Sequence, residues 1–122
     1  MTRGHLLTMI RIYGLRNCDT CRRAIKDLER ARVIYEFCDF RRDGLNLAKI
    51  NEWQRLLGYD LLLNRKGTTW RGLSEDYKAD LTREKAVNLM FNKPALIKRP
   101  VFEIGKRIII GYKNEQKKTL GL

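Results

Sequence analysis

Long hydrophobic runs are absent from this sequence. No apolar stretch approaches the roughly 20 residues that a membrane-spanning helix requires, which argues against a membrane protein. The first eight residues also lack the apolar segment of a signal peptide, so we interpret residues 1–8 as a flexible extension and expect a cytoplasmic protein. At 122 residues, the chain is long enough to bury an ordinary core as one domain without structural disulfide bonds.

Metal-binding residues are also scarce. The chain has one histidine and three cysteines, and two of the cysteines, Cys18 and Cys21, form a Cys-x-x-Cys pair. A structural zinc site needs about four ligands, and Cys38 and His5 are the only further residues of these two types. Because His5 falls in the N-terminal extension, we expect no metal site and no tightly bound cofactor. In a cytosolic protein the pair is then more often catalytic than a structural staple.

The charge is one-sided. With 26 basic and 14 acidic residues, the formal net charge is +12. Such an excess attracts nucleic acid, an acidic protein or a small anionic substrate, and a basic surface without a specific partner is an equal alternative. The sequence has no zinc-finger, helix-turn-helix or RNA-recognition signature, so we do not expect direct nucleic-acid binding. We expect a monomer that does not associate with membranes.

The N-terminal third has the pattern of a β-α-β unit. Met9–Tyr13 predicts a strand, and the helical spacing of apolar residues from Cys21 to Leu28 predicts a helix that begins at the second cysteine. Val33–Phe40 is rich in β-branched and aromatic residues and predicts a second strand. A strand, a helix and a strand over this length favour a right-handed crossover between parallel strands.

The rest of the chain predicts a helical segment followed by a hairpin. Asn46 and Thr82 are suitable N-caps, and Trp53 should lie in the core. The predicted elements are helices over Asn46–Gly58, Tyr59–Leu63, Thr82–Phe91 and Asn114–Leu120, and strands over Ala95–Lys98, Val101–Ile104 and Arg107–Ile110.

The cysteine pair lies where the first strand passes into the first helix. Unpaired backbone N–H groups and the helix dipole favour a negative charge there, so Cys18 should ionise more readily than a free cysteine. The nearby Arg16, Arg22 and Arg23 act in the same direction. We therefore expect a redox-active or nucleophilic site in which Cys18 is the most acidic and most exposed thiol and can form a reversible disulfide with Cys21. Cys38 is interpreted as a half-buried structural thiol.

Three separated blocks resemble the signatures of the ArsC/Spx family. They are Asn17–Arg22, Leu63–Trp70 and Leu96–Val101. The nearest branch is that of the YffB-like proteins, which are regarded as glutathione-dependent thiol reductases. The resemblance implies an α/β, thioredoxin-like fold, with β-α-β and β-β-α halves around a four-stranded mixed sheet. It also implies a single domain over residues 9–122 with an inserted helical lobe at about 46–92.

The resemblance also implies roles for individual residues. Cys18 matches the nucleophilic cysteine of the family. Arg65 and Arg99 match two arginines that hold the oxyanion or the thiolate intermediate in arsenate reductases, which suits the planar donor fork of a guanidinium group. Pro100 matches the proline that faces the active site of thioredoxin-like proteins, so we predict a cis peptide bond between Arg99 and Pro100.

Two functions of different classes follow from the resemblance. The first is a thiol–disulfide oxidoreductase in which Cys18 attacks a disulfide or accepts glutathione, the expected co-substrate, and Cys21 resolves the mixed disulfide. Its partners would be glutathione or a protein thiol or disulfide. The second is a redox-sensing regulator that binds the RNA polymerase α subunit, since Spx carries such a cysteine pair. Arsenate reduction is not expected, because Ile110 stands where arsenate reductases have a third arginine.

Overall fold

The computed structural model describes residues 9–122, so the extension predicted over residues 1–8, with His5, lies outside the described residues. The chain divides into two compact units. The first unit contains residues 9–44 and Arg99–Leu122, and the second contains Leu45–Lys98. No helix within residues 9–122 is long and apolar enough to cross a membrane.

The helices and strands follow one another in the order β1 (Ile10–Gly14), α1 (Asp19–Arg30), β2 (Tyr35–Asp39), α2 (Leu47–Leu57), α3 (Tyr59–Leu62), α4 (Thr68–Arg71), α5 (Glu75–Lys78), α6 (Arg83–Asn92), a 3-10 helix (Pro94–Leu96), β3 (Val101–Ile104), β4 (Arg107–Ile110) and α7 (Asn114–Thr119).

The first unit is built on a four-stranded mixed sheet with the order β2-β1-β3-β4. β1 pairs with β2 in parallel, as predicted, and with β3 in antiparallel register, while β3 and β4 form an antiparallel hairpin. The chain thus runs β1-α1-β2 in its first half and β3-β4-α7 in its second. The predicted thioredoxin-like fold is confirmed.

One face of this sheet packs against the apolar side of α1. Ala24 and Leu28 of α1 are fully buried together with Ile12 of β1 and Phe102 of β3. Burial of a side chain the size of leucine contributes about 1.5–3 kcal/mol. Tyr112, which follows β4, joins this core and donates a hydrogen bond of 2.5 Å to the carboxylate of Asp27. The core therefore holds β1 against α1, and the cysteine pair lies at the junction of these two elements.

The second unit is helical. The caps predicted for α2 and α6 are confirmed, because the Asn46 side chain accepts the Lys49 N–H at 2.8 Å and the Thr82 hydroxyl accepts the Lys85 N–H at 3.2 Å. Trp53 is fully buried, as predicted, in a core whose other fully buried large side chains are Ile50, Leu62, Leu63, Met90, Leu96 and Ile97.

The strand predicted over Ala95–Lys98 is wrong. Pro94 begins a 3-10 helix, and the segment then forms only an isolated bridge between Leu63 and Ile97. The segment forms backbone hydrogen bonds with the residues on either side of Leu63. The Asn64 N–H donates to the Leu96 carbonyl at 2.7 Å, and the Lys98 N–H donates to the Leu62 carbonyl at 2.9 Å. With these groups paired inside the second unit, the segment does not join the sheet. The second unit accordingly extends beyond the predicted lobe to Lys98.

Two smaller differences concern helices. α1 begins at Asp19, two residues before the predicted start at Cys21. Between the helices predicted over Tyr59–Leu63 and Thr82–Phe91 the sequence predicts no helix, but α4 and α5 lie there. Each of these two helices is a single turn of 4 residues, too short to show an apolar period in the sequence.

Candidate active site

Cys18 is the residue immediately before α1. Its backbone is extended, with φ −98° and ψ 119°, and its carbonyl accepts the first helical hydrogen bond from the Arg22 N–H at 3.0 Å. The Cys18 N–H donates to the Leu15 carbonyl at 3.1 Å, which closes the short loop between β1 and α1. Cys21 is the third residue of the helix and is fully buried, while Cys18 is half-buried. The Cys18 side chain is thus at the positive end of a helix of 12 residues.

The environment of the pair separates the acidities of its two thiols. Hydrogen bonding from the Cys21 thiol lowers the pKa of Cys18 to about 5, although partial burial opposes the shift, and the Cys21 backbone N–H and the Arg99 side chain act in the same direction. The same hydrogen bond, together with burial, raises the pKa of Cys21. At neutral pH, Cys18 is therefore the thiolate and Cys21 remains protonated.

Cys38 has a different environment. Burial, followed by the carboxylates of Glu36 and Asp43, raises the pKa of the Cys38 thiol. The predicted order of acidity, with Cys18 the most acidic of the three, agrees with these shifts. The prediction that Cys18 is also the most exposed of the three thiols is less clearly met, because Cys18 and Cys38 are both partly exposed.

Arg99 and Pro100 lie immediately before β3, in the same unit as the cysteines. The Arg99 side chain is half-buried and favours the Cys18 thiolate by hydrogen bonding and by its charge. The Arg99–Pro100 peptide bond is cis, which confirms that prediction, and Pro100 is fully buried. The Pro100 carbonyl accepts the Gly111 N–H at 2.9 Å, which fixes the start of the hairpin.

Gly14, at the end of β1, is a site residue whose role was not predicted. A β-carbon placed there would overlap the Sγ atom of Cys21 and would come within 3.9 Å of the β-carbon of Arg99. The close approach of Cys21 to the strand therefore requires a residue without a side chain. A glycine that ends a strand next to a helix is the signal that could have indicated this contact.

Replacing Gly14 with alanine should raise the pKa of Cys18. The added methyl group displaces the Cys21 Sγ atom, which removes the hydrogen bond that lowers the pKa of the neighbouring thiol. Titration of the thiolate by ultraviolet absorbance, in a Cys38→Ser background so that only the pair contributes, measures the effect. An unchanged titration midpoint would show that Cys21 keeps its position without this contact.

Asp39, at the end of β2, holds the loop that precedes Cys18. Its side chain is buried and accepts three backbone N–H groups, from Arg16 at 2.9 Å, from Arg41 at 2.8 Å and from Arg42 at 3.1 Å. Burial acts to raise the pKa of Asp39, but the three N–H groups prevail and lower it. Because Arg16 is two residues before Cys18, the carboxylate connects the cysteine loop to the end of β2.

Replacing Asp39 with asparagine should reduce the free energy of unfolding by about 1–3 kcal/mol, because the side-chain amide turns a donor toward a buried N–H group. The folded pKa of Asp39 is lowered, so its stabilisation is present above the unfolded pKa of about 3.9 and is lost as the pH falls through the folded value. Urea unfolding at neutral pH and at about pH 3 should show the difference shrink in acid. Asp76→Asn, at an exposed position, is the control; an equal loss there would contradict this role.

Arg65 belongs to the second unit. Its guanidinium group donates to the Asp60 carboxylate at 2.7 Å and lies over the Trp70 ring, 5.7 Å from its centroid. Lys78 lies 5.6 Å from the centroid of the same half-buried ring. The predicted anion-binding role of Arg65 stays a prediction. Among residues 9–122, no three His, Cys, Asp or Glu side chains group together as metal ligands.

Comparison with known proteins agrees with this fold. The model of the ArsC family matches residues 13–120. A solved structure of a YffB protein is 38% identical, with a TM-score of 0.86, and the match covers 90% of this chain and 96% of that chain. The structure of an arsenate reductase (ArsC) related protein from Brucella melitensis is 34% identical, with a TM-score of 0.76, over 93% of this chain and 96% of its own.

A relative of another kind is the global transcriptional regulator Spx of Listeria innocua. It is 26% identical over 110 residues, which cover 88% of this chain and 83% of the regulator. Relatives named for arsenate reductase and for Spx thus match most of this chain's length. The protein belongs to the ArsC family.

Proposed function

We propose that the protein is a glutathione-dependent thiol–disulfide oxidoreductase with Cys18 as its nucleophile. The observation that supports this most strongly is the pairing of an acidic, half-buried Cys18 with a buried, protonated Cys21. The thiolate is the reactive form of cysteine, and a second thiol within hydrogen-bonding range can attack the mixed disulfide that forms. The reaction uses glutathione as co-substrate and no tightly bound cofactor.

In the first step, the Cys18 thiolate attacks one sulfur atom of a disulfide. A bond forms between Cys18 and that sulfur, the original S–S bond breaks, and the departing thiolate takes a proton from solvent. Cys21 then loses its proton and attacks Cys18, which releases the second thiol and leaves a Cys18–Cys21 disulfide. Two glutathione molecules reduce this disulfide and leave as glutathione disulfide, so they supply both electrons.

We propose that Arg99 stabilises the negative charge on sulfur during this reaction. Its contact with Cys18 stabilises the attacking thiolate and stabilises the same sulfur when it leaves in the later step. Arg65 is proposed to bind an anionic part of the substrate. Because its guanidinium group pairs with Asp60 in the free protein, substrate binding would have to share or replace that ion pair.

The test is turnover of the mixed disulfide of glutathione and mercaptoethanol, followed through glutathione reductase, with arsenate offered as an alternative substrate. The mixed disulfide should be reduced and arsenate should be reduced poorly, because Ile110, at the end of β4, supplies neither a charge nor a donor. Absence of mixed-disulfide turnover by the reduced protein would contradict the proposal.

The second candidate function is a redox-sensing regulator of the Spx kind. It is favoured by the similarity to Spx and by the reversible disulfide proposed for Cys18 and Cys21. In this case the pair is a switch and the RNA polymerase α subunit is the partner. Binding of the reduced and oxidised protein to purified α subunit decides this question: tight binding that depends on oxidation, without disulfide turnover, favours the regulator over the enzyme.

A further inference from the structure

A groove lined with arginines adjoins the cysteine loop in the first unit. A cavity of about 530 Å³ is formed by the loop that precedes Cys18, by the first turn of α1 and by the segment after β2. Four arginines line it: Arg16, Arg22, Arg41 and Arg42. A cavity of this volume is within the range of about 300–1,000 Å³ that is typical of ligand sites.

A second cavity, of about 300 Å³, continues the first along the flank of α1. The two share Leu15, Arg16 and Arg22, and the second adds the half-buried side chains of Ile25 and Phe37 together with Lys26 and Glu29. The guanidinium group of Arg16 lies 5.9 Å from the centroid of the Phe37 ring. We call the two cavities together the basic groove. It has a cationic end beside the cysteine loop and a more apolar end along the helix.

The charges in the cationic end are only partly neutralised by the protein itself. Arg22 forms an ion pair with Asp19, and Arg42 forms one with Asp43. Within residues 9–122, no carboxylate forms an ion pair with Arg16 or with Arg41. The carboxylate of Asp39 is occupied by three backbone N–H groups. The groove therefore has two guanidinium groups available to an external anion.

The combination of charge and apolar surface selects the kind of ligand. A small inorganic anion would bind the arginines but would leave the apolar end of the groove empty, because apolar side chains do not stabilise a charge. An extended peptide has alternating side chains that can place carboxylates on arginines and an apolar group against Ile25 and Phe37. Complementary charge also raises the rate of encounter with an acidic partner.

We propose that the basic groove docks an acidic peptide segment of the partner protein whose sulfur reacts at Cys18. Its carboxylates bind Arg16 and Arg41, and an apolar side chain packs against Ile25 and Phe37. The role of the docked peptide rests on the proposed function, because docking would hold the partner's disulfide next to the reactive Cys18. Docking itself involves no chemistry and can be measured without it.

The test measures binding to the full chain carrying Cys18→Ser, so that no covalent bond forms. Three fluorescent probes are compared by anisotropy: a short peptide of glutamate and leucine, its glutamine counterpart, and a single-stranded oligonucleotide. The glutamate peptide should bind more tightly than the glutamine peptide, and its affinity should fall with salt. Arg16→Ala combined with Arg41→Ala should weaken it by about tenfold.

The matched control is Lys106→Ala combined with Arg107→Ala, which removes the same amount of charge. Lys106 lies in the β3–β4 turn and Arg107 is the first residue of β4, the edge strand on the opposite side of the sheet from β2. The control should leave the affinity unchanged, whereas Arg16→Lys combined with Arg41→Lys should restore most of it. In a further measurement without arginine variants, addition of the glutamate peptide should change the NMR chemical shifts of Asn17, Ile25 and Phe37.

Three results would overturn the proposal. They are equal binding of the glutamate and glutamine peptides, equal losses in the two double variants, and tighter binding of the oligonucleotide at the same arginines. The proposed oxidoreductase function is judged separately, by turnover of the small mixed disulfide. If the peptide does not bind but the mixed disulfide is turned over, only the docking proposal is rejected. If the peptide binds but the mixed disulfide is not turned over, only the proposed oxidoreductase function is rejected.

Discussion

Replacing Cys18 with serine will lower the rate of glutathione mixed-disulfide reduction by at least about a thousandfold. A serine hydroxyl is not ionised under conditions in which the Cys18 thiol, with its pKa of about 5, is a thiolate, and it cannot form the mixed disulfide through which the reaction passes. The rate is measured with the coupled glutathione reductase assay, and mass spectrometry follows the protein-bound glutathione.

The matched control is Cys38→Ser. The pKa of Cys38 is raised, and the residue lies on β2, where it pairs with Tyr13 of β1, so its substitution should leave turnover unchanged. A result in which Cys38→Ser abolishes turnover and Cys18→Ser does not would place the nucleophile on β2 and would contradict the assigned site.

Replacing Cys21 with alanine should have two separate consequences. The hydrogen bond that contributes most to the low pKa of Cys18 is lost, so the thiolate fraction of Cys18 at pH 6 should fall by roughly tenfold or more. The mixed disulfide with glutathione should also accumulate, because the thiol that we propose to resolve it is gone. A pH titration of thiolate absorbance measures the first effect, and mass spectrometry of the trapped adduct measures the second.

Cys21→Ser separates these two consequences. The serine hydroxyl can still donate a hydrogen bond to Cys18, so the pKa of Cys18 should stay low, but serine cannot resolve a mixed disulfide. We therefore expect the adduct to accumulate in both variants and the thiolate fraction to fall only in the alanine variant. If the alanine variant keeps the low pKa, the helix N-terminus and Arg99 would be sufficient and the role given to Cys21 would be wrong.

The parts of this fold that were predicted correctly are those encoded by local patterns. The apolar spacing from Cys21 to Leu28 and the β-branched runs on either side specify β1, α1 and β2. The position of Cys18 before a helix N-terminus is therefore evident from the sequence, but the low pKa of Cys18 depends chiefly on the hydrogen bond from the buried Cys21 thiol. The cis bond before Pro100 was predicted from the family resemblance, because proline alone makes a cis bond only an occasional outcome.

The parts that were missed depend on contacts between segments distant in sequence. The apolar segment Ala95–Lys98 reads as a strand, but the bridge partner that removes it from the sheet is Leu63. The buried carboxylate of Asp39 is 23 residues from the Arg16 N–H group that it accepts. Gly14 is required because Cys21, one turn into the next helix, packs directly against it. No periodicity within a single element carries this information.

The most direct measurement of the central claim is the pH dependence of alkylation at each cysteine, mapped by peptide mass spectrometry. The account predicts that Cys18 is labelled first near pH 6, with a midpoint of about 5. Even after allowance for the lower intrinsic nucleophilicity of an acidic thiolate, its rate should exceed that of a free thiol by about tenfold. Preferential labelling of Cys38, or a midpoint for Cys18 near the value of about 8.5 of a free cysteine, would contradict it.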